Sequence, residues 1–414
     1  MKYQTWILEK LIEKYESRKT LTGNVRKVAF RMQDESDLSQ ELEHAEEKEK
    51  FLAALDLLKQ KGLVDYSWVR FEKDNIVERV WMVLDEEKVR ESYHILARIP
   101  KGDIICVLRE SLINNINQMK PVENEIQSFF EQQLEQMEQS SSIPRFFTDK
   151  IELNEDLIKC LVYLSQNNQE VQERVLSSLL YNDSKYFGST VKGKVLSVLK
   201  AINKGKGEEL SDEELLREKG VVKWPEILEF TGRLTVLFKQ GELIDFSVLT
   251  YGAYINSLMV EMVDKVCLYR IKKVTFIENK ANYVWYITQE KKEEELVIYH
   301  GGCYSPVKGR WFKKICEACN QDEEQIKFYH WSDIDVGGFR IFSRLKTEIV
   351  SALEPFRMDI ETLEKNRDKG MPMNEHYRML LVEMISDCRY EEFKFLIERM
   401  LELNIRLEQE QLLY

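Results

Sequence analysis

The sequence predicts a mainly helical N-terminal region followed by a C-terminal α/β domain with a parallel sheet and trailing helices. Up to about Gly232, apolar residues recur mostly at helical spacing, with one early pair of strands. From about Ile244, β-branched and aromatic runs alternate with helical segments, which is the pattern of successive β-α units with right-handed crossovers. These changes in pattern predict three domains, at residues 1–92, 93–243 and 244–414.

The first domain combines helices with a hairpin. Apolar residues from Phe51 to Leu58 lie on one helical stripe, and Gly62 is suited to end that helix. The runs 63–69 and 76–83 then read as two strands around a polar turn. Helix, glycine and hairpin in this order predict a winged-helix-like domain.

The last domain contains three predicted β-α units. In chain order they are the strand 273–278 with a helix from Ala281, the strand 296–300 with a helix over 307–320, and the strand 326–331 with a helix over 338–353. Helical pattern resumes at Glu375 and continues almost to Tyr414. The sheet is therefore expected in the middle of this domain, followed by helices.

Composition excludes several classes of protein. The 414 residues are 43% hydrophobic and 32% charged, which is typical of a globular chain rather than a disordered one. No apolar run approaches the roughly 18 residues of a membrane span, and the N-terminus lacks the pattern of a signal peptide. Seven cysteines without framework spacing predict reduced thiols and a cytoplasmic protein without membrane contact.

Basic residues cluster despite the net charge of −12. Residues 184–207 contain six lysines and no acid, interleaved with glycines, and a second basic zone lies near the predicted winged helix. Clustered cations of this kind contact nucleic-acid backbones, although a solvated helix face is an equal alternative. The candidate DNA-binding residues are Lys185, Lys192, Lys194, Lys204, Lys206, Arg26 and Lys27.

Carboxylates follow two of the predicted strands. Glu278 ends the first strand, and Asp333 and Asp335 follow the third, ahead of Gly337 and Gly338. Ligands of parallel α/β sheets bind at the carboxyl ends of strands, and hard oxygen ligands suit Mg²⁺. We therefore expect the three acids to converge on one cation and the two glycine N–H groups to approach a phosphate. Strand-end solubilisers or helix caps are the structural alternative.

At these residues the chain resembles Toprim domains, the metal-binding modules of topoisomerases, primases and some nucleases. It resembles more closely the nuclease subunits of Wadjet plasmid-defence systems, from about Tyr181 onward. The blocks that carry this resemblance are Asn182–Lys185, Phe276–Lys280, Ile298–Gly302, Trp331–Arg340 and Arg406–Glu410.

The resemblance implies a metal-dependent DNA endonuclease with Mg²⁺, or alternatively Mn²⁺, held by Glu278, Asp333 and Asp335 as catalytic residues. It also implies a dimer related in layout to the DNA-cleaving subunit of topoisomerase VI, with circular double-stranded DNA presented by an SMC-type complex. Topoisomerase VI relatives cut with a tyrosine, but the chain has no adjacent tyrosine pair. A tyrosine transesterifier and a non-catalytic DNA-binding scaffold remain as alternatives to hydrolysis.

Two further motifs have competing interpretations. Cys316 and Cys319 form a C-x-x-C, but a zinc site needs four convergent ligands, so we predict core residues. The resemblance implies that Glu408, Gln409 and Glu410 brace the metal site, whereas composition slightly favours a solvated helix face.

Overall fold

The computed structural model describes residues 2–17, 28–119, 124–140, 142–203, 210–319 and 326–413. The chain divides into two compact units, Met1–Ile158 and Lys159–Tyr414. The mixture of helices and a sheet with parallel strands is confirmed. No helix in the described ranges is long and apolar enough to cross a membrane.

The first unit is mainly helical around a small sheet. Its helices are α1 Lys2–Glu16, α2 Ser36–Glu41, α3 Ala45–Gln60, α4 Glu86–Ile95, α5 Lys101–Gln118 and α6 Glu125–Ser140, while α7 Ile151–Gln166 spans the division. Its strands β1 Ala29–Arg31, β2 Val64–Trp68 and β3 Val77–Met82 pair in the antiparallel order β1-β3-β2. The predicted hairpin is thus confirmed, and Gly62 ends α3 with a φ of +74°. The winged-helix assignment itself stays a prediction.

The second unit is built on a six-stranded sheet. Its strands are β4 Val171–Gln172, β5 Val221–Val222, β6 Ile227–Thr231, β7 Leu234–Phe238, β8 Leu243–Asp245, β9 Ala253–Asn256, β10 Val263–Leu268, β11 Lys273–Ile277, β12 Glu295–Tyr299, β13 Lys327–Trp331, β14 Leu353–Pro355, β15 Met371–Pro372 and β16 Ile405–Arg406. Six of these strands form the main sheet, in the order β14-β13-β11-β12-β6-β9. In this sheet β14, β13, β11 and β12 run parallel to one another. β6 pairs antiparallel with β12, and β9 pairs antiparallel with β6.

Helices cover both faces of this sheet. They are α8 Glu173–Tyr181, α9 Lys192–Asn203, α10 Asp212–Glu218, α11 Lys280–Gln289, α12 Pro306–Cys319, α13 Val336–Glu348, α14 Ile360–Lys365, α15 Glu375–Ile385 and α16 Lys394–Leu403. Because alternate residues of a strand point to opposite faces, Phe276 packs in the larger core with Phe312 of α12, whereas Ile277 packs with Tyr283 and Tyr286 of α11. Both faces of the central strand are therefore buried.

The predicted β-α units are confirmed to within a few residues, but the C-terminal helical prediction is only partly right. Asn404 adopts a left-handed conformation that ends α16, and β16 then pairs with β15. A single 3₁₀ turn, Gln409–Leu412, follows. This change of direction brings the segment 405–412 back to the end of β13, where Leu407 pairs with Ile334.

Candidate metal centre

The acids predicted from the sequence lie at the carboxyl ends of neighbouring parallel strands. Ile277, the last residue of β11, aligns with Trp331, the last residue of β13. The next residue, Glu278, donates its N–H to the Trp331 carbonyl at 3.0 Å. Since Asp333 follows Trp331 by two residues, both acids leave the sheet at the same edge, as the sequence pattern predicts.

Asp335 is fixed as the N-cap of α13. Its carboxylate accepts a hydrogen bond from the Gly338 N–H at 2.8 Å, and the neighbouring Val336 N–H donates to the Tyr377 hydroxyl at 2.8 Å. A β-carbon on Gly338 would lie 2.1 Å from the Asp333 carbonyl oxygen, so only glycine fits this turn. The Gly338 N–H, expected to approach a phosphate, is instead donated to the Asp335 carboxylate, which caps α13.

Asp333 is held by the C-terminal segment. Its Oδ1 accepts a hydrogen bond from the Gln409 N–H at 2.6 Å. Ile334 and Leu407 exchange two backbone hydrogen bonds of 2.9 and 3.2 Å beside it. A charge-assisted hydrogen bond this short gives the carboxylate one defined orientation.

Gln409 connects the ends of β11 and β13. Its side chain is fully buried, accepts a hydrogen bond from the Asn279 N–H at 3.0 Å and donates to the Trp331 carbonyl at 3.2 Å. Its own carbonyl accepts from Asn282 Nδ2 at 2.7 Å. The composition-based interpretation of a solvated face is therefore wrong for this residue, although Glu408 and Glu410 are exposed. The resemblance block 406–410 was the sequence signal that marked it.

The environment of Asp333 and Asp335 disfavours the ionised form of both carboxyl groups. Burial, and next the charge of Asp335, raise the pKa of Asp333 to about 7, with Glu410 and Glu408 adding to the rise. Burial also raises the pKa of Asp335, against the stabilising N–H of Gly338 and the Arg406 guanidinium, whose Nη1 lies 3.9 Å from Oδ2. Neighbouring acids that resist ionisation are typical of sites that bind a cation.

The chemistry of the two aspartates suits a divalent cation. Both are hard oxygen ligands whose pKa values are raised by burial, and the charge of Asp335 raises the pKa of Asp333 further. However, the described residues contain no group of three or more His, Cys, Asp or Glu side chains that could hold a metal ion. Glu278 Oε1 instead lies 3.7 Å from where a β-carbon on Gly302 would sit, and Glu214 Oε1 is 3.6 Å from the same point. Joint coordination by all three acids stays a prediction.

The predicted DNA-binding lysines are only partly described. Lys185 is exposed, whereas Lys192 forms an ion pair with Glu173 at 2.6 Å and Lys194 is half-buried on α9. The other four, Lys204, Lys206, Arg26 and Lys27, lie outside the described residues. The packing stripe of α9 is confirmed by the burial of Val195, Leu196, Val198 and Leu199. DNA contact by these residues stays a prediction.

The cysteine and histidine candidates are core residues. Cys316 and Cys319 are buried on α12, and burial raises the pKa of the Cys316 thiol. His300 and His330 are fully buried side by side, with 3.0 Å between their Nε2 atoms, and burial lowers the pKa of His300 to about 3. Burial therefore keeps both rings neutral, and their Nε2 atoms pair with each other, while His330 Nδ1 has no hydrogen-bond partner among the described residues.

The C-terminal part of the chain is similar to the C-terminal region of a known protein family. Residues 237–414, which include the whole acid site and Gln409, match the family model described as Wadjet protein JetD, C-terminal. The chain is also 26% identical over 423 residues to the Wadjet protein JetD of Bacillus cereus (strain Q1), which covers 99% of this chain and 98% of that relative. Both comparisons confirm the resemblance predicted from the sequence, and the second extends it to the N-terminal unit.

Proposed function

We propose that this protein is the DNA-cleaving subunit of a Wadjet-type defence system that acts against plasmid or phage DNA. The observation that carries the proposal is the pair of carboxylates at the end of β13, whose pKa values are raised by burial and, for Asp333, by the charge of Asp335. The similarity to JetD over nearly the whole chain supports the same conclusion. A winged-helix-like first unit and a Toprim-type second unit belong to this proposal.

Asp333 and Asp335 would hold Mg²⁺, with Mn²⁺ as the alternative. When bound, the cation would supply positive charge to the phosphodiester and lower the pKa of a coordinated water. In this proposal Glu278 accepts a proton from the attacking water as the water oxygen bonds to phosphorus, the bond from phosphorus to the leaving sugar oxygen breaks, and that oxygen takes a proton from solvent water. Gln409 positions Asp333, and the Gly338 N–H positions Asp335.

The partners follow from the resemblance. We propose circular double-stranded DNA as the substrate, an SMC-type complex of the same system as the module that presents it, and a homodimer as the working state. The lysines of α9 and the residues around it would contact the backbone without reading its sequence.

Hydrolysis is favoured over a nucleophile at Tyr66 or Tyr93 by the environment of these two hydroxyls. The Tyr93 hydroxyl donates to Glu16 at 2.9 Å, and burial raises its pKa. Burial also raises the pKa of Tyr66 to about 12. A raised pKa makes a phenol a weaker source of the phenolate nucleophile at neutral pH.

The decisive experiment is plasmid cleavage by the Asp333→Asn variant, with and without the purified partner complex. We expect Mg²⁺-dependent nicking or cutting of circular DNA to fall at least about a hundredfold, because a metal contributes several kcal/mol to such a reaction. Asp359→Asn is the matched control, since Asp359 is an exposed aspartate whose carboxylate caps α14 by accepting from the Thr362 N–H.

Undiminished cutting by Asp333→Asn would overturn the assignment of the site. Protein attached to DNA ends after denaturation would indicate the tyrosine mechanism instead. Salt-sensitive DNA binding by the wild type with no metal-dependent product would indicate the scaffold alternative.

A further inference from the structure

A cavity of about 390 Å³ opens between α10, β5, β6 and the turn after β12. This volume lies within the range of small-molecule sites. Its lining combines cations, acids and aromatic rings, among them Lys308, Glu226, Trp224 and Tyr299. We propose that this cavity binds one unpaired nucleotide of the DNA strand, with Lys308 on its phosphate and Trp224 stacked on its base.

Lys308 is the cavity cation whose ammonium group lies over an aromatic ring rather than against a carboxylate in the described residues. It lies in the first turn of α12, its residue is only 5% exposed, and in the part of the chain that the structure describes its ammonium group makes no hydrogen bond or ion pair. Burial lowers its pKa to about 8, although the Glu226 carboxylate opposes this. A buried ammonium group gains stability from an anion within reach, which a phosphate provides.

The acids of the cavity each have their own cation. Glu173 is paired with Lys192 at 2.6 Å, and Glu213 is paired with Lys223. The third acid is also satisfied, because Glu226 accepts from the Ser305 hydroxyl and lies 3.6 Å from the Arg217 Nε. The positive charge of Lys308 is therefore available to a ligand.

Two aromatic side chains line the cavity. Trp224 is 76% exposed although it lines the cavity, and the ring of Tyr299 lies inside, 5.7 Å from the Lys308 Nζ. An exposed indole next to a buried cation is suited to a base and its phosphate, because every base has a face that stacks on an aromatic ring.

The cavity and Glu278 share one turn. Gly301 lines the cavity, while Gly302, with a φ of +72°, is the residue that Glu278 approaches. A nucleotide in the cavity would thus lie near Glu278, the proposed acceptor of the proton of the attacking water. This inference rests on the proposed function, and it explains why a short glycine turn separates β12 from α12.

The test is fluorescence anisotropy of a labelled short oligothymidine with the full-length chain in EDTA, over a series of salt concentrations. Trp224→Ala should weaken binding roughly tenfold with an unchanged salt dependence, since stacking is uncharged. Lys308→Met should reduce the slope of log affinity against log salt by about one, because one phosphate contact is lost. Tyr251→Ala and Lys265→Met, exposed residues outside the cavity, are the matched controls and should bind as the wild type does.

The two proposals fail in different ways. Wild-type affinity and salt slope in both cavity variants would overturn the nucleotide site while leaving the nuclease assignment intact. The Asp333→Asn variant should bind oligothymidine as the wild type does in EDTA, because Asp333 does not line the cavity. Full cutting of plasmid DNA by that variant would overturn the nuclease assignment and leave the nucleotide site intact. Because Trp224 is exposed, its variant tests the cavity even if Lys308→Met does not fold.

Discussion

At the residue scale, Asp333 is the side chain whose environment says most about the site. Its carboxylate is held by the Gln409 N–H, yet burial and the charge of Asp335 raise its pKa from 3.8 to about 7. A carboxyl group with a raised pKa in the folded state binds its proton more tightly there than in the unfolded chain. Its contribution to stability is therefore full below about pH 4 and is lost as the pH rises through about 7.

The raised pKa of Asp333 predicts how the stability of the metal-free protein depends on pH. In EDTA, the free energy of unfolding of the wild type should fall between about pH 5 and about pH 8. Asp333→Asn should show a smaller fall, by about 1.4 kcal/mol for each pKa unit by which folding raises the Asp333 pKa within that range. Urea unfolding at the two pH values measures the difference, with Asp359→Asn as the control. Equal pH dependence in wild type and Asp333→Asn would contradict the buried, repelled carboxylate.

At the scale of elements, the sequence predicted the strands and helices that depend on local residue pattern. The strands of the β-α units follow from apolar runs, and their helices begin where Asn279 and Asp335 cap them. The pairing of β6 and β9 with the parallel strands was not predicted, because it depends on contacts between distant segments. Gln409 was underestimated for the same reason, since its partners lie 78 to 130 positions away.

The link that Gln409 makes between β11 and β13 can be measured as stability. Gln409→Met keeps the volume but leaves the Asn279 N–H without its buried acceptor and removes one of the two hydrogen bonds to the Trp331 carbonyl. We expect this to lower the free energy of unfolding by about 1–3 kcal/mol. Urea denaturation is the measurement. Gln289→Met, at an exposed position on α11, should change it by less than about 0.5 kcal/mol. Equal effects of the two substitutions would mean that Gln409 does not connect the strands.

At the scale of the whole molecule, charge and function are distributed unevenly. The net charge of −12 by itself disfavours contact with nucleic acid. The acids of the candidate site, the described lysines of α9 and the cavity around Lys308 all belong to the unit Lys159–Tyr414. The average charge of the chain is therefore a poor guide to this protein, whereas the order of its motifs predicted the location of the site.

This distribution predicts where metal acts. Mg²⁺ at about ten times its dissociation constant should slow amide exchange roughly tenfold at residues 333–338 and 407–411, because binding stabilises the state that binds. Residues 28–119 of the first unit should exchange at an unchanged rate. Hydrogen exchange followed by mass spectrometry measures both regions, and Asp333→Asn should abolish the effect. Protection spread evenly over the two units, or absent from both, would contradict a cation site at Asp333.

The hydrogen bond from Gln409 to Asp333 spans 76 positions of the chain. A ribosome adds about 5–20 residues per second, so the acids emerge roughly 4–15 seconds before the glutamine that orients them is made. A nascent chain therefore carries Asp333 without the donor that orients it throughout that interval. For the DNA cleavage proposed above, synthesis order alone would leave the candidate site unassembled until translation has passed Gln409.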